Sequence, residues 1–227
     1  MTSPTPSQEP RWRRLPEERP QQILDAALWV FGERGLAAAR LEDIARHAGL
    51  SKGTIYLYFS NKEELFREVV RHTIVAQIER TEGELASASR RSATDTLVQF
   101  VRGYWAFVRT PSFGALFRLV HAELGNFPDL AAFYAREVVD RTLRLTTGIL
   151  EWGIQTGEFR RMDPLVAARM LGPMLLMHAL WCNHRDLFSA VANRSDEQVL
   201  EELLEFYLNA LRPGPSPARP PANARKK

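Results

Sequence analysis

Apolar residues recur every three to four positions through most of this chain, and no stretch alternates strictly between apolar and polar. That spacing puts apolar side chains on one stripe of a helix, so the pattern predicts an all-α fold. A first helix is expected over about 17–34, with Ile23, Ala27 and Val30 on one stripe and Leu24 and Phe31 beside it. Gly35 can end it in the left-handed conformation. Residues 41–47 read as a short helix with Ile44, Ala45 and Ala48 inward, followed by a turn at Gly49. Ser51 can cap a third short helix reaching Phe59. Asn61 with Glu64, or Ser60 with Glu63, makes a capping box for a long fourth helix over about 62–88.

The stretch 83–94 reads as a break, and further helices are expected over about 94–109, 112–124, 128–156, 163–184 and 195–211. Pro128 and Pro164 suit a first helical turn, Asp163 suits a cap, and Ser195 with Gln198 forms another capping box. Gly172-Pro173 falls inside the 163–184 pattern and is expected to kink it. The organisation that follows is all-α: a small N-terminal bundle of three helices, joined by a long helix to a larger helical bundle. The expected boundaries are a disordered tail over 1–14, the small bundle over 15–62, the larger bundle over 63–211, and a disordered basic tail over 212–227.

Charge sharpens this picture through its placement. The net charge is +3, yet residues 1–14 carry three Arg and one Glu, and residues 212–227 carry five Lys or Arg and no acid. The tails therefore hold +7 and residues 15–211 come to −4, so nucleic-acid contact must come from a local patch. The single cysteine, Cys182, cannot form an internal disulfide and fits a reducing cytoplasm. No run approaches ~20 uninterrupted apolar residues, so no membrane span is expected and the chain reads as cytoplasmic.

The motif that carries chemistry is "RLEDIARHAGLSKGTIYLYF", residues 40–59: short helix, glycine turn, short helix. Ile44, Ala45, Ala48, Leu50, Ile55 and Phe59 form the inward set, which leaves Lys52, Gly53, Thr54, Tyr56, Leu57 and Tyr58 outward or at the edges. A plain aromatic core would explain the rings of Tyr56 and Tyr58 but not their hydroxyls or the bracketing Lys52 and Lys62. A helix with one face in the core and the other on DNA explains all of them, because the N-terminal end of a recognition helix meets base edges. Lys52 stands at that end, and Gly53 permits close approach.

"GTIYLYFSNKEELF", with the preceding "ILDAALWVFGERGLAAARLEDIARHAGLS", resembles the signature of the TetR family of transcriptional regulators over about residues 19–70. The resemblance implies a homodimer with a three-helix, helix-turn-helix DNA-binding domain over 15–62, its motif at 40–59, and a C-terminal helical effector, or ligand-binding, and dimerisation domain over 63–211. It implies DNA contact by Lys52, Gly53, Thr54, Tyr56, Tyr58 and Lys62. One departure is Arg40, where the family often has Ser or Thr capping the second helix. Arg40 is therefore expected to bind phosphate instead, while Glu42 and Asp43 still suit the helix dipole.

The remaining two-thirds resembles TetR effector domains in a general way. Phe117, His121, Trp152, Met177, His178 and Trp181 are candidates for an apolar or aromatic effector site, with the histidines supplying polar contacts. Ordinary core packing is the plain alternative for each. His178, Cys182 and His184 carry zinc-type donors, but no second cysteine accompanies them and no metal or other cofactor is expected. Nucleophile-elbow, P-loop, dinucleotide and zinc-protease motifs are missing, so no enzyme is expected.

The expected function is a DNA-binding repressor that reads a pseudo-palindromic operator as a homodimer and is released by a small molecule. The competing reading is a regulator that answers to a protein partner or to no ligand. For the dimer interface, Leu200, Leu203, Leu204, Tyr207, Leu208 and Leu211 make a stripe wider than one internal contact requires, joined by Met170, Leu171, Met174 and Met177.

Overall fold

The computed structural model describes residues 19–87 and 92–214, and no strand occurs among them. Both predicted tails, 1–14 and most of 212–227, lie outside the described residues. The helices are α1 (Arg19–Ala38), α2 (Leu41–His47), α3 (Lys52–Tyr56), α4 (Lys62–Val70), α5 (Ala76–Ser87), α6 (Ala93–Val108), α7 (Pro111–Glu123), α8 (Pro128–Tyr134), α9 (Asp140–Thr156), α10 (Pro164–Asn183) and α11 (Asp196–Leu211). A π-helical turn, Arg71–Val75, links α4 to α5 without a break, and a second, Ala135–Val139, links α8 to α9.

The chain forms two compact units. The first takes residues up to Ala76 together with Ala115–Ala135; the second takes Gln77–Gly114 and everything after Ala135. The split differs from the expected boundary after residue 62 by giving the first unit the rest of α4, the second half of α7, and α8.

In the first unit, α1 buries Ile23, Ala27, Val30 and Phe31, and the Phe31 ring meets the edge of Phe66 from α4 at 6.3 Å. Gly35 ends the regular part of α1 with φ 72° and ψ 159°. That backbone conformation disfavours any side chain, and a Cβ there would also lie 2.4 Å from Glu123 Oε1 at the end of α7. The α2–α3 turn is pinned from α1, where Gln22 Nε2 donates to the Ala48 carbonyl at 2.6 Å. Leu116, Leu119, Val120, Leu130 and Phe133 are buried, and the Arg71 guanidinium lies 5.2 Å from the centre of the Phe133 ring.

In the second unit, α6 and α9 meet at their ends. Ser92 caps α6, and the Glu158 carboxylate accepts from the Ala93 and Thr94 N–H groups, each at 2.9 Å. Burial raises the Glu158 pKa, but these bonds outweigh it and hold the carboxyl below its ordinary value. Gly153 of α9 leaves room for the Phe159 ring, whose nearest atom would lie 2.1 Å from a Cβ at that position. Tyr207 of α11 donates to the Ala167 carbonyl of α10 at 2.8 Å. The predicted Asp163 cap and the Ser195–Gln198 capping box are both present.

One expectation needs correction. Leu200, Leu203, Leu204, Tyr207 and Leu211 are buried within the single chain, so the stripe assigned to a dimer interface is spent on the internal core. Of the residues assigned to that interface, Met170 (63% exposed) and Met177 (47%) stay uncovered, together with Phe206 (68%), Leu165 and Val166. By length and composition alone α10 is apolar enough to cross a membrane, as a core helix can also be, although Arg169, Pro173 and His178 interrupt its apolar run. The helix also runs on through Pro173.

Candidate nucleic-acid interface

α2 starts from Arg40, whose backbone is extended and whose side chain caps nothing, as the missing Ser or Thr implied. Glu42 and Asp43 occupy its first turn instead. Gly49, with φ 66°, turns the chain into Ser51. The Ser51 hydroxyl accepts from the Thr54 N–H at 3.1 Å and lies 2.8 Å from the Thr54 hydroxyl, so Thr54 serves the cap of α3. Ile55 and Phe59 are buried as expected. α3 itself ends at Tyr56, and the segment to Phe59 continues as turns, because Asn61 already caps the next helix.

α3 and the turn after it present Lys52, Gly53, Tyr56, Leu57 and Tyr58 outward, all exposed. Leu57 is 84% exposed, so the face is not a core surface turned outward by chance. A Cβ on Gly53 would meet nothing nearer than the Ser51 hydroxyl oxygen at 3.9 Å. The chain's own packing therefore does not require glycine there. The Tyr58 hydroxyl has no hydrogen-bond partner among the described residues.

Two of the predicted contacts are engaged within the chain. Lys52 Nζ lies 2.8 Å from Glu42 Oε1, and the Tyr56 hydroxyl donates to the same oxygen at 3.1 Å. The Lys52 ammonium, then the Tyr56 hydroxyl, bring the Glu42 carboxyl down to about 2, and Glu42 in turn raises the Lys52 pKa. Lys62 Nζ donates to the Ala37 carbonyl at 2.6 Å.

Beside this face lies an open depression of about 660 Å³ lined by Arg34, Ala38, Arg40, Glu42, Asp43 and Arg46. Arg34 and Arg46 both pair with Asp43, at 2.7 and 3.1 Å, whereas Arg40 makes no ion pair among the described residues. Sequence reasoning missed Glu42 as a partner of α3. The pairing spans ten residues across the α2–α3 turn and becomes legible only once the crossing of the two helices is known.

Residues 23–69 match the profile of bacterial regulatory proteins of the tetR family, and residues 95–213 match the C-terminal domain of AefR-like transcriptional repressors. The chain belongs to the TetR family. It is 28% identical over 160 residues to the fatty acid metabolism regulator protein of Bacillus subtilis, covering 69% of this chain and 80% of that one. It is 27% identical over 213 residues to the transcriptional repressor KstR2 of Mycolicibacterium smegmatis, covering 93% and 96%. The crystal structure of the regulator FadR from Bacillus subtilis in complex with stearoyl-CoA superposes with TM-score 0.67 at 25% identity, covering 85% of this chain and 99% of that one. The protein is thus a DNA-binding transcriptional regulator.

The candidate effector residues of this regulator fall in two groups. Phe117 and His121 lie on the stretch of α7 in the first unit, their rings 3.8 Å apart, with His121 Nδ1 bonded to the Phe117 carbonyl at 3.0 Å. Trp152, Met177, His178 and Trp181 lie in the second unit. There His178 Nδ1 bonds to the Met174 carbonyl at 2.8 Å, which places the proton on Nδ1 and leaves Nε2 for another partner. The His178 ring is 4.8 Å from Trp181, which stacks on Phe188 at 5.8 Å. Met177 is exposed and not part of that group. Cys182 is buried, and burial pushes its thiol up. Among the described residues no three His, Cys, Asp or Glu side chains group closely enough to hold a metal ion.

Proposed function

We propose that this regulator is a homodimeric repressor that reads a pseudo-palindromic operator and releases it when an apolar effector binds the second unit. The observation that carries the DNA half is the outward set on α3: a capped helix showing Lys52, Gly53, Tyr56 and Tyr58 from a bundle that needs none of them for packing. Lys52 reads base edges; Tyr58, Arg40 and Lys62 meet phosphates; Tyr56, whose hydroxyl proton goes to Glu42, turns its oxygen to base amino groups; Gly53 permits the approach; Thr54 holds the cap. Arg40 is the readiest of these, since no carboxylate competes for it among the described residues.

The apolar side chains left uncovered on α10 and α11 support the dimer. Leu165, Val166, Met170, Met177 and Phe206 form more exposed apolar surface than a lone helix pair carries without a partner. A second copy covering them accounts for the apolar character of α10 in a DNA-binding regulator, which is expected to work in the cytoplasm where its DNA is.

For the effector, the relatives named for fatty acid metabolism and the likeness to a stearoyl-CoA complex favour a long-chain acyl thioester. Trp152, His178 and Trp181 of the second unit supply ring surface and one imidazole nitrogen. The continuous helical run Lys62–Ser87 carries the response toward the DNA-reading face. Two recognition helices must match half-sites about 34 Å apart, so a shift of a few ångströms loses one of them. Selection from a random duplex library followed by footprinting tests the reading. Enrichment of a twofold-symmetric site supports it; enrichment of no sequence contradicts it.

A further inference from the structure

We propose that Glu42 is a specificity-determining residue of the DNA-reading face, whose carboxylate withholds Lys52 and Tyr56 from phosphate and so penalises random-sequence DNA. This rests on the assignment of Lys52 to base edges above.

Glu42 belongs to α2, while both its partners belong to α3, and both donors converge on one oxygen, Oε1. Lys52 is 68% exposed and Glu42 33%, so the pair stands at the surface a duplex would meet. The geometry treats the two kinds of DNA complex differently. A non-specific complex is held by phosphate contacts and counterion release. To give phosphate its full charge, Lys52 must leave Glu42, and a phosphate near Oε1 meets a carboxylate of its own sign. Tyr56 has a single hydroxyl proton, which is donated to Glu42, so its oxygen offers outward only lone pairs, which a phosphate cannot use.

A specific complex escapes most of this cost. The ammonium has three donors and Glu42 occupies one, so Lys52 can give another to guanine O6 or N7 while staying paired. The lone pairs of Tyr56 can accept from a cytosine or adenine amino group. The Lys52 ammonium beside it holds the Glu42 carboxyl down at about 2, so the pair stays charged at neutral pH.

The test uses the full-length chain and two fluorescein-labelled duplexes, the site enriched by the wild type and a scrambled sequence, with anisotropy read over a range of salt. Glu42→Gln is expected to tighten the scrambled duplex about tenfold and steepen its salt slope by about one unit. The ratio of enriched to scrambled affinity should fall correspondingly. Glu42→Asp keeps the charge but shortens the reach, so it should lower the ratio as well while leaving the salt slope closer to wild type. In a Lys52→Met background the effect of Glu42→Gln should largely vanish. An equal gain with and without Lys52 would show a general charge effect and overturn the proposal, as would an unchanged ratio in both Glu42 variants. A wild type that enriches no sequence would instead defeat the DNA-reading assignment itself. Circular dichroism confirms that each variant is folded.

Discussion

Lys62 Nζ donates to the Ala37 carbonyl at 2.6 Å, so the first residue of α4 is fastened to the last turn of α1. The lysine that the sequence assigned to phosphate alone is also a brace. Replacing it with Met keeps the stem and removes the donor. The expected loss is about 1 kcal/mol of stability in a urea melt. Enriched and scrambled duplexes should weaken alike, with the salt slope shallower by about one unit. Unchanged stability would contradict the brace; a loss confined to the enriched duplex would contradict the phosphate role.

Gly53 separates folding from binding. Space around its Cα is open within the chain, so Gly53→Ala should melt within about 1 kcal/mol of wild type and keep its helical spectrum. Against a groove floor the added methyl has no room. Operator affinity should fall by at least about tenfold, equivalent to ~1.4 kcal/mol. Full affinity in this variant would show that α3 does not enter the groove as closely as proposed.

Much of the fold was legible in the sequence. α2 falls at Leu41–His47 as read, because Ile44 and Ala45 mark its inner stripe and Gly49 its stop. The caps at Ser51, Asn61, Asp163 and Ser195 are where their side chains indicated, since capping is a local interaction. Long-range packing was not legible. Nothing in the sequence tells that Glu123 closes on Gly35, 88 residues away, or that Ala115–Ala135 joins the first unit. The two π-helical turns likewise have no residue signature. On α11 the apolar stripe was found correctly, but periodicity does not say which copy of the chain covers it.

Leu204 is 4% exposed in the single chain, so Leu204→Glu should unfold the protein, at a cost of about 3 kcal/mol or more. Phe206→Glu is the informative variant. It should remain helical, run as a monomer in light scattering at micromolar concentration, and lose operator affinity. A Phe206→Glu chain that stays dimeric would place the interface elsewhere.

Arg109 and Arg185 both pair with Asp196 at the start of α11, and the Arg109 guanidinium, then that of Arg185, outweigh burial and hold its carboxyl below the ordinary value. A depressed carboxylate stabilises the fold above its unfolded pKa of about 3.9, and that contribution is lost as pH falls through the folded value. Asp196→Asn should therefore melt below wild type at neutral pH. The gap should close as pH is lowered toward ~3. A gap that stays constant with pH would show that the charge of Asp196 contributes nothing.

Release of DNA by an apolar effector is read from the anisotropy of the enriched duplex, bound by the full-length wild type, during titration with stearoyl-CoA and, separately, with coenzyme A. The acyl thioester should release the duplex saturably, with operator affinity lowered roughly 5- to 150-fold, and coenzyme A should release none. Duplex binding that is intact and indifferent to acyl thioesters of every chain length would contradict it.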